Sequence, residues 1–232
     1  WGDAWDSAWF HLSATIPTEW SGKAVVARVQ VNGEILVFDT NGVPIYALTN
    51  ASAWDSAFVK DRYQITSCAA GGESIDLWME AACNGLFGIE RDEDPAADTP
   101  NRHGKFNGLA HDLKLSIWNQ DVQDLLLDVE VLFDLMTSLP EDSPRRNKIL
   151  RKLNQAVNRY AETPQNAVIA RNELASLINN GANKSSLTAY AIGHAHLDTG
   201  WLWPVKESIR KAARTFTHQM SLMEQYPEYV FG

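Results

Sequence analysis

Cysteine, basic charge and long apolar runs are scarce in this chain, and each scarcity removes a class of protein. Two cysteines, Cys68 and Cys83, in 232 residues make no disulfide framework, so a packed core must hold the fold and both thiols are expected to be free. Lys and Arg number 20 against 29 Asp and Glu, a formal net charge of −9. Nucleic acid is therefore not an expected partner, because phosphates call for clustered cations. The one basic cluster, Arg145, Arg146, Lys148, Arg151 and Lys152, reads as a solvated helix face. No apolar stretch reaches membrane-spanning length, so no membrane partner is expected. No secretory leader is evident, and an opening on Trp1 rather than Met is compatible with a start removed upstream. Internal repeats and low-complexity tracts are absent. The sequons Asn50-Ala51-Ser52 and Asn183-Lys184-Ser185 read as chance matches.

What is present suffices for a sizeable core: 45% of residues are hydrophobic, and the length allows one large or two modest domains. Short segments rich in β-branched and aromatic residues, Phe10 to Ile16, Ala24 to Val31, Glu34 to Asp39, Val43 to Leu48 and Ser74 to Ala81, predict strands. Asn32-Gly33 and Asn41-Gly42 carry two-residue hairpin signals. A β-sandwich over residues 1–103 follows, ending in the loop Arg91 to His103, where acidic residues and prolines crowd together. The period then becomes helical. Val122 to Met136, a segment opened by Pro144 and running to Tyr160, and Val168 to Ile178 predict three helices in a connecting region over residues 104–184, with Asn119 and Ser143 as caps.

Residues 185–232 begin differently. Leu187, Ala189, Tyr190, Ala191 and Ile192 form an apolar run that reads as a buried parallel strand. It leads into Gly193-His194-Ala195-His196-Leu197-Asp198-Thr199-Gly200-Trp201-Leu202. Alternation along a strand puts His194, His196 and Asp198 on one face, and imidazole nitrogen with carboxylate oxygen is a donor set that zinc accepts. Gly200 allows a turn, Pro204 suits the first position of a helix, and Val205, Ile209, Ala212, Phe216, Met220 and Met223 follow at helical spacing. The motif thus lies at the carboxyl end of a strand entering a helix, where α/β folds place active sites. A hydrogen-bonded turn without metal fits the same residues. Among other zinc hydrolases, the metallo-β-lactamase pattern wants a His where Thr199 stands, while amidohydrolases carry His-x-His on a first barrel strand and remain an alternative.

The string from Gly193 to Pro204, followed by Glu207, Ile209, Arg210-Lys211, Ala213-Arg214-Thr215-Phe216 and Met223-Glu224-Gln225-Tyr226-Pro227-Glu228-Tyr229, resembles the start of the catalytic domain of glycoside hydrolase family 38 α-mannosidases. Upstream, Trp9-Phe10, Gly33-Glu34, Asp76-Leu77-Trp78, Asn84-Gly85-Leu86-Phe87-Gly88 and Asp128-Val129-Glu130-Val131-Leu132 resemble the amino-terminal region of its bacterial and fungal cytosolic-type branch. The resemblance implies an α+β multidomain protein: an amino-terminal β-sandwich, a helical linker region, then the first strand and helix of an α/β-barrel-type catalytic domain. It implies Zn2+ on His196 and Asp198, Trp201 against the bound mannose, and His194 behind the ligands, hydrogen-bonding one of them. The nucleophile and the acid/base are expected downstream of Gly232, so no catalytic carboxylate is assigned here. The implied partners are a mannose-containing oligosaccharide and the remainder of the catalytic chain, in a cytoplasmic setting, with a homo-oligomer left open.

Nine tryptophans invite one further alternative, a carbohydrate-binding sandwich without catalysis. Packing is the simpler use of so many indoles, and the binding reading requires exposed rings.

Overall fold

The computed structural model describes residues 1–2, 5–31, 33–49, 59–84, 110, 112–180, 187–200 and 203–232. Seven strands lie among them: β1 (Ser7–Thr15), β2 (Ala24–Gln30), β3 (Glu34–Phe38), β4 (Pro44–Thr49), β5 (Arg62–Thr66), β6 (Ser74–Ala82) and β7 (Asp112–Trp118). The helices are α1 (Gln120–Ser138), α2 (Pro144–Glu162), α3 (Ala167–Ile178) and α4 (Val205–Gln225). The chain divides into two units, one formed by 1–118 with 190–232 and the other by 119–189.

In the first unit every strand pairing is antiparallel, in a four-stranded sheet ordered β1-β6-β3-β4 and a three-stranded sheet ordered β5-β2-β7. Val25 and Val29 of one sheet share a core with Ile35, Val37, Met79 and Ala81 of the other. Each of the larger side chains, the valines, Ile35 and Met79, contributes about 1.5–3 kcal/mol when fully buried. This is the expected sandwich, with one connection corrected. Asn41-Gly42 does close a hairpin between β3 and β4, where the Asp39 carboxylate accepts from the Asn41 and Val43 N–H groups at 2.9 and 2.8 Å and Gly42 sits at φ +77. The hairpin expected at Asn32-Gly33 is absent, because β2 and β3 belong to different sheets. Gly33 serves close approach instead: a Cβ there would collide with the Ala82 carbonyl of β6.

Strands β5 and β7 carry weak sequence signals. β5 is largely polar, and β7 falls inside the region expected to be helical from residue 104, yet it pairs with β2 from Ala24↔Trp118 to Gln30↔Asp112. Its alternation of Leu113, Leu115 and Ile117 has the period of a strand, and Leu115 packs on the core. Neither thiol is in a disulfide, Cys68 being exposed and Cys83 buried with its Sγ donating to the Gly2 carbonyl at 3.0 Å.

The tryptophans divide by role. Trp5 is buried, and Trp1 and Trp20 pack on the core. Trp9 and Trp78 remain 57% and 42% exposed. Trp54 lies outside the described residues.

The second unit is a three-helix assembly around Leu125, Leu132, Ile149, Leu153, Ala170 and Leu174. Its caps are those expected: the Asn119 side chain accepts from Val122 N–H at 3.2 Å, and Ser143 accepts from Arg146 N–H at 3.5 Å. Arg171 of α3 pairs with Asp124 and Asp128 of α1 at 2.8 and 2.9 Å. Among the described residues no helix is long and apolar enough to cross a membrane.

Candidate metal centre

The apolar run before the motif does not form the buried parallel strand expected of it. Leu187 and Tyr190 are 98% and 88% exposed, and a single parallel bridge, Gly193↔Phe231, is the only ladder contact there among the described residues. A strand is held by neighbours along its edges, and here the pairing stops at Gly193 N–H to Val230 carbonyl at 2.8 Å and Gly232 N–H to Gly193 carbonyl at 2.9 Å. A Cβ at Gly193 would run into the Tyr229 side chain, so a larger residue at this bridge would have to displace that ring.

Beyond the bridge, His196 Nε2 lies 3.1 Å from Asp198 Oδ1, and both side chains are exposed. Two donors on one tetrahedral zinc, each about 2.1 Å from it, stand about 3.4 Å apart. The pair therefore fits one ion with little movement. His194 turns elsewhere, its Nδ1 lying 3.2 Å from the Gly232 carbonyl oxygen. Trp201 lies outside the described residues. No group of three or more His, Cys, Asp or Glu side chains poised for a metal occurs among the described residues. His196 and Asp198 thus offer two donor side chains side by side, short of the three that a catalytic zinc usually takes from protein.

Helix α4 follows this turn and is inverted relative to the usual amphipathic arrangement. Its apolar stripe, Val205, Ile209, Phe216, Met220 and Met223, is exposed, with Ile209 at 70%. The opposite face, Glu207, Lys211 and Arg214, is buried. Spacings of four and three residues put these charges on one face, and that face meets the four-stranded sheet.

There the charges are answered one by one. Lys211 Nζ reaches Glu34 Oε2 at 2.6 Å, and Arg214 reaches the same oxygen at 3.2 Å. Glu207 pairs with Arg214 and, at 3.5 Å, with Arg210, which also approaches Glu80 at 3.5 Å. Asn84 donates to Glu34 at 2.8 Å and to Glu207 at 3.2 Å. Three carboxylates thus meet three cations. Burial alone would raise the Glu34 carboxyl, but Arg214 and Lys211 outweigh it and hold it below the ordinary carboxylate range. One turn further on, His218 stands edge-on to Tyr46 at 5.1 Å, and burial, with the charge of Lys60, lowers it to about 4.

Comparison with known proteins agrees with this architecture. A family model described as "Alpha-mannosidase, jelly roll domain" matches residues 1–116, and one described as "Glycosyl hydrolases family 38 N-terminal domain" matches residues 186–232. Alpha-mannosidase 2C1 of Mus musculus is 34% identical over 232 residues, covering 100% of this chain and 22% of that protein. Alpha-mannosidase 2C1 of Homo sapiens is 32% identical with 100% and 21% covered, and alpha-mannosidase G of Dictyostelium discoideum is 25% identical with 99% and 21% covered. The chain spans about a fifth of the length of these curated relatives. With the sandwich and the His196–Asp198 turn each falling inside a matched segment, the chain belongs to the glycoside hydrolase family 38 α-mannosidases, whose amino-terminal portion it matches.

Proposed function

We propose that this chain is the amino-terminal part of a zinc-dependent retaining α-mannosidase that removes terminal α-linked mannose from oligosaccharides. The observation that carries the proposal is the 3.1 Å approach of His196 Nε2 and Asp198 Oδ1 inside the segment matched by the family 38 amino-terminal domain. These two side chains would hold Zn2+ together with ligands from elsewhere in the whole protein. When bound, the ion would supply a template and an electrostatic clamp for sugar hydroxyls. The nucleophile and the acid/base carboxyl are assigned to the remainder of the catalytic chain, and Trp201 to contact with the mannose ring.

In this reading residues 185–232 would open the α/β-barrel-type domain, while β7 moves the end of the sandwich from residue 103 to residue 118 and leaves 119–184 as the connecting region. The exposed apolar stripe of α4 and the exposed side chains of Tyr190 and Ile192 support this reading, because exposed apolar side chains of this kind suit an interaction surface. The remainder of the catalytic chain is the partner that would cover them. A cytoplasmic setting is part of the same proposal.

Exposed Trp9 and Trp78 favour a second reading, sugar binding by the sandwich itself. Against it, His11 stacks on Trp78 at 4.3 Å and 9°, and Trp9 leans on Phe38 at 5.2 Å, so neither ring stands free on both faces. The deciding experiment is zinc content with kinetics on α-mannoside, α-glucoside and amide substrates, for the whole protein and its Trp201→Ala variant. The proposal expects zinc retained and α-mannoside turnover lost in Trp201→Ala. Amide cleavage without α-mannoside cleavage in the parent would overturn it in favour of an amidohydrolase-like enzyme.

A further inference from the structure

The turn that carries Asp198 is closed by one hydroxyl. Ser208, in the first turns of α4, accepts from the Gly200 N–H at 2.9 Å and from the Trp203 indole Nε1–H at 3.1 Å, and donates to the Asp198 carbonyl at 3.2 Å. A serine hydroxyl has one proton and two lone pairs, and all three are engaged. Trp203 Nε1 also approaches the Asp198 carbonyl, at 3.2 Å, so that oxygen faces two donors. Gly200 takes φ +80, a conformation that lets its N–H turn back toward the helix. Trp203 is buried, and Lys211 Nζ lies over its ring at 4.7 Å while bonding Glu34 at 2.6 Å. A continuous series of contacts thus runs from the sheet through Lys211 and Trp203 to the backbone of Asp198.

We infer that Ser208 is a positioning residue for Asp198: by pinning the Asp198 carbonyl and the Gly200 N–H to α4, it fixes where the Asp198 carboxylate stands relative to His196. The inference rests on the zinc reading above. The Asp198 side chain is 39% exposed against 76% for His196, so of the pair Asp198 is the one closer to the anchored turn and the surrounding protein. Partners that orient a metal ligand without touching the metal are worth about 10–100-fold in affinity.

The test uses Ser208→Ala and Ser208→Thr in the whole protein, beside His196→Ala and Asp198→Ala, with zinc affinity read by chelator competition. Amide hydrogen exchange at Gly200 in the metal-free protein and the thermal midpoint are measured alongside. The expected result for Ser208→Ala is zinc affinity lower by about tenfold or more, faster exchange at Gly200 and an unchanged midpoint, with Ser208→Thr restoring both affinity and protection because it keeps the hydroxyl. Zinc affinity unchanged in Ser208→Ala, while His196→Ala and Asp198→Ala lose zinc, would overturn the positioning role and leave the metal reading intact. Zinc retained in all three alanine variants would overturn the metal reading and the inference with it. Should Ser208→Ala lower the midpoint, Ser208→Thr decides alone, since failure to restore zinc affinity in a folded Ser208→Thr protein contradicts the role of the hydroxyl.

Discussion

Glu34 on β3 and Lys211 on α4, separated by 177 positions in sequence, meet at 2.6 Å in a buried ion pair. The pair ties the helix that follows the His196–Asp198 turn to the sandwich, and both residues lie in strings that resemble the α-mannosidase family. Asn84, Glu207, Arg210 and Arg214 come from the same strings and close the network around the pair. A charged helix face buried against a sheet adds little net stability, because the charges lose hydration that their partners only partly restore.

Removing one partner exposes that cost. Glu207 is fully buried, and Glu207→Ala leaves Arg214 without its shortest contact. The expected loss is about 3–5 kcal/mol of unfolding free energy, as for other broken buried pairs. Urea unfolding measures it. A loss under about 1 kcal/mol, the range of exposed pairs, would show that the network is solvated in solution.

Protonation of His218 supplies a pH test. Its folded pKa, lowered from 6.5 to about 4, means that the unfolded chain binds the extra proton first as pH falls. Stability should therefore decline as pH drops from about 6.5 toward 4, and a His218→Phe variant should lose that part of the dependence. Denaturant midpoints across this window check it. A dependence unchanged in His218→Phe would assign the decline to other groups. Glu34 acts in the same direction at lower pH: its depressed pKa gives stability that is present above the ordinary carboxylate value and lost as pH falls through the folded one.

Much of the sandwich was legible in sequence because β-branched alternation and the Asn41-Gly42 turn are local signals. The sheet crossing at Gly33 was not, since the same Asn-Gly pair serves a tight turn or a close backbone approach, and only the position of β6 decides which. Helix α4 exposes a sharper limit. Two faces of it repeat at helical spacing, one apolar and one charged, and periodicity cannot tell which of two well-formed faces meets the sheet. The approach of His196 and Asp198 was foreshadowed by their spacing of two, although the strand on which that spacing was argued does not form. Ser208 carried no signal at all, as its three partners come together only through the turn at Gly200.

Trp9 and Trp78 separate the enzymatic reading from the sugar-binding one. With one face of Trp78 covered by His11 and Trp9 resting on Phe38, the double variant Trp9→Ser, Trp78→Ser should leave α-mannoside kinetics of the whole protein within about twofold of the parent, as surface changes away from a site usually do. Isothermal titration of the parent and the variant with mannose oligosaccharides provides the companion measurement. Binding by the parent that the variant loses would restore the sandwich as a sugar site.

The most direct measurement is elemental analysis of zinc in the whole protein and in its His196→Ala and Asp198→Ala variants after dialysis against chelator-treated buffer. The account predicts one zinc per site in the parent and its loss in both variants, because each side chain supplies one of few bonds to the ion. Full zinc in His196→Ala would move the ligand role to His194, and full zinc in both variants would contradict the metal centre.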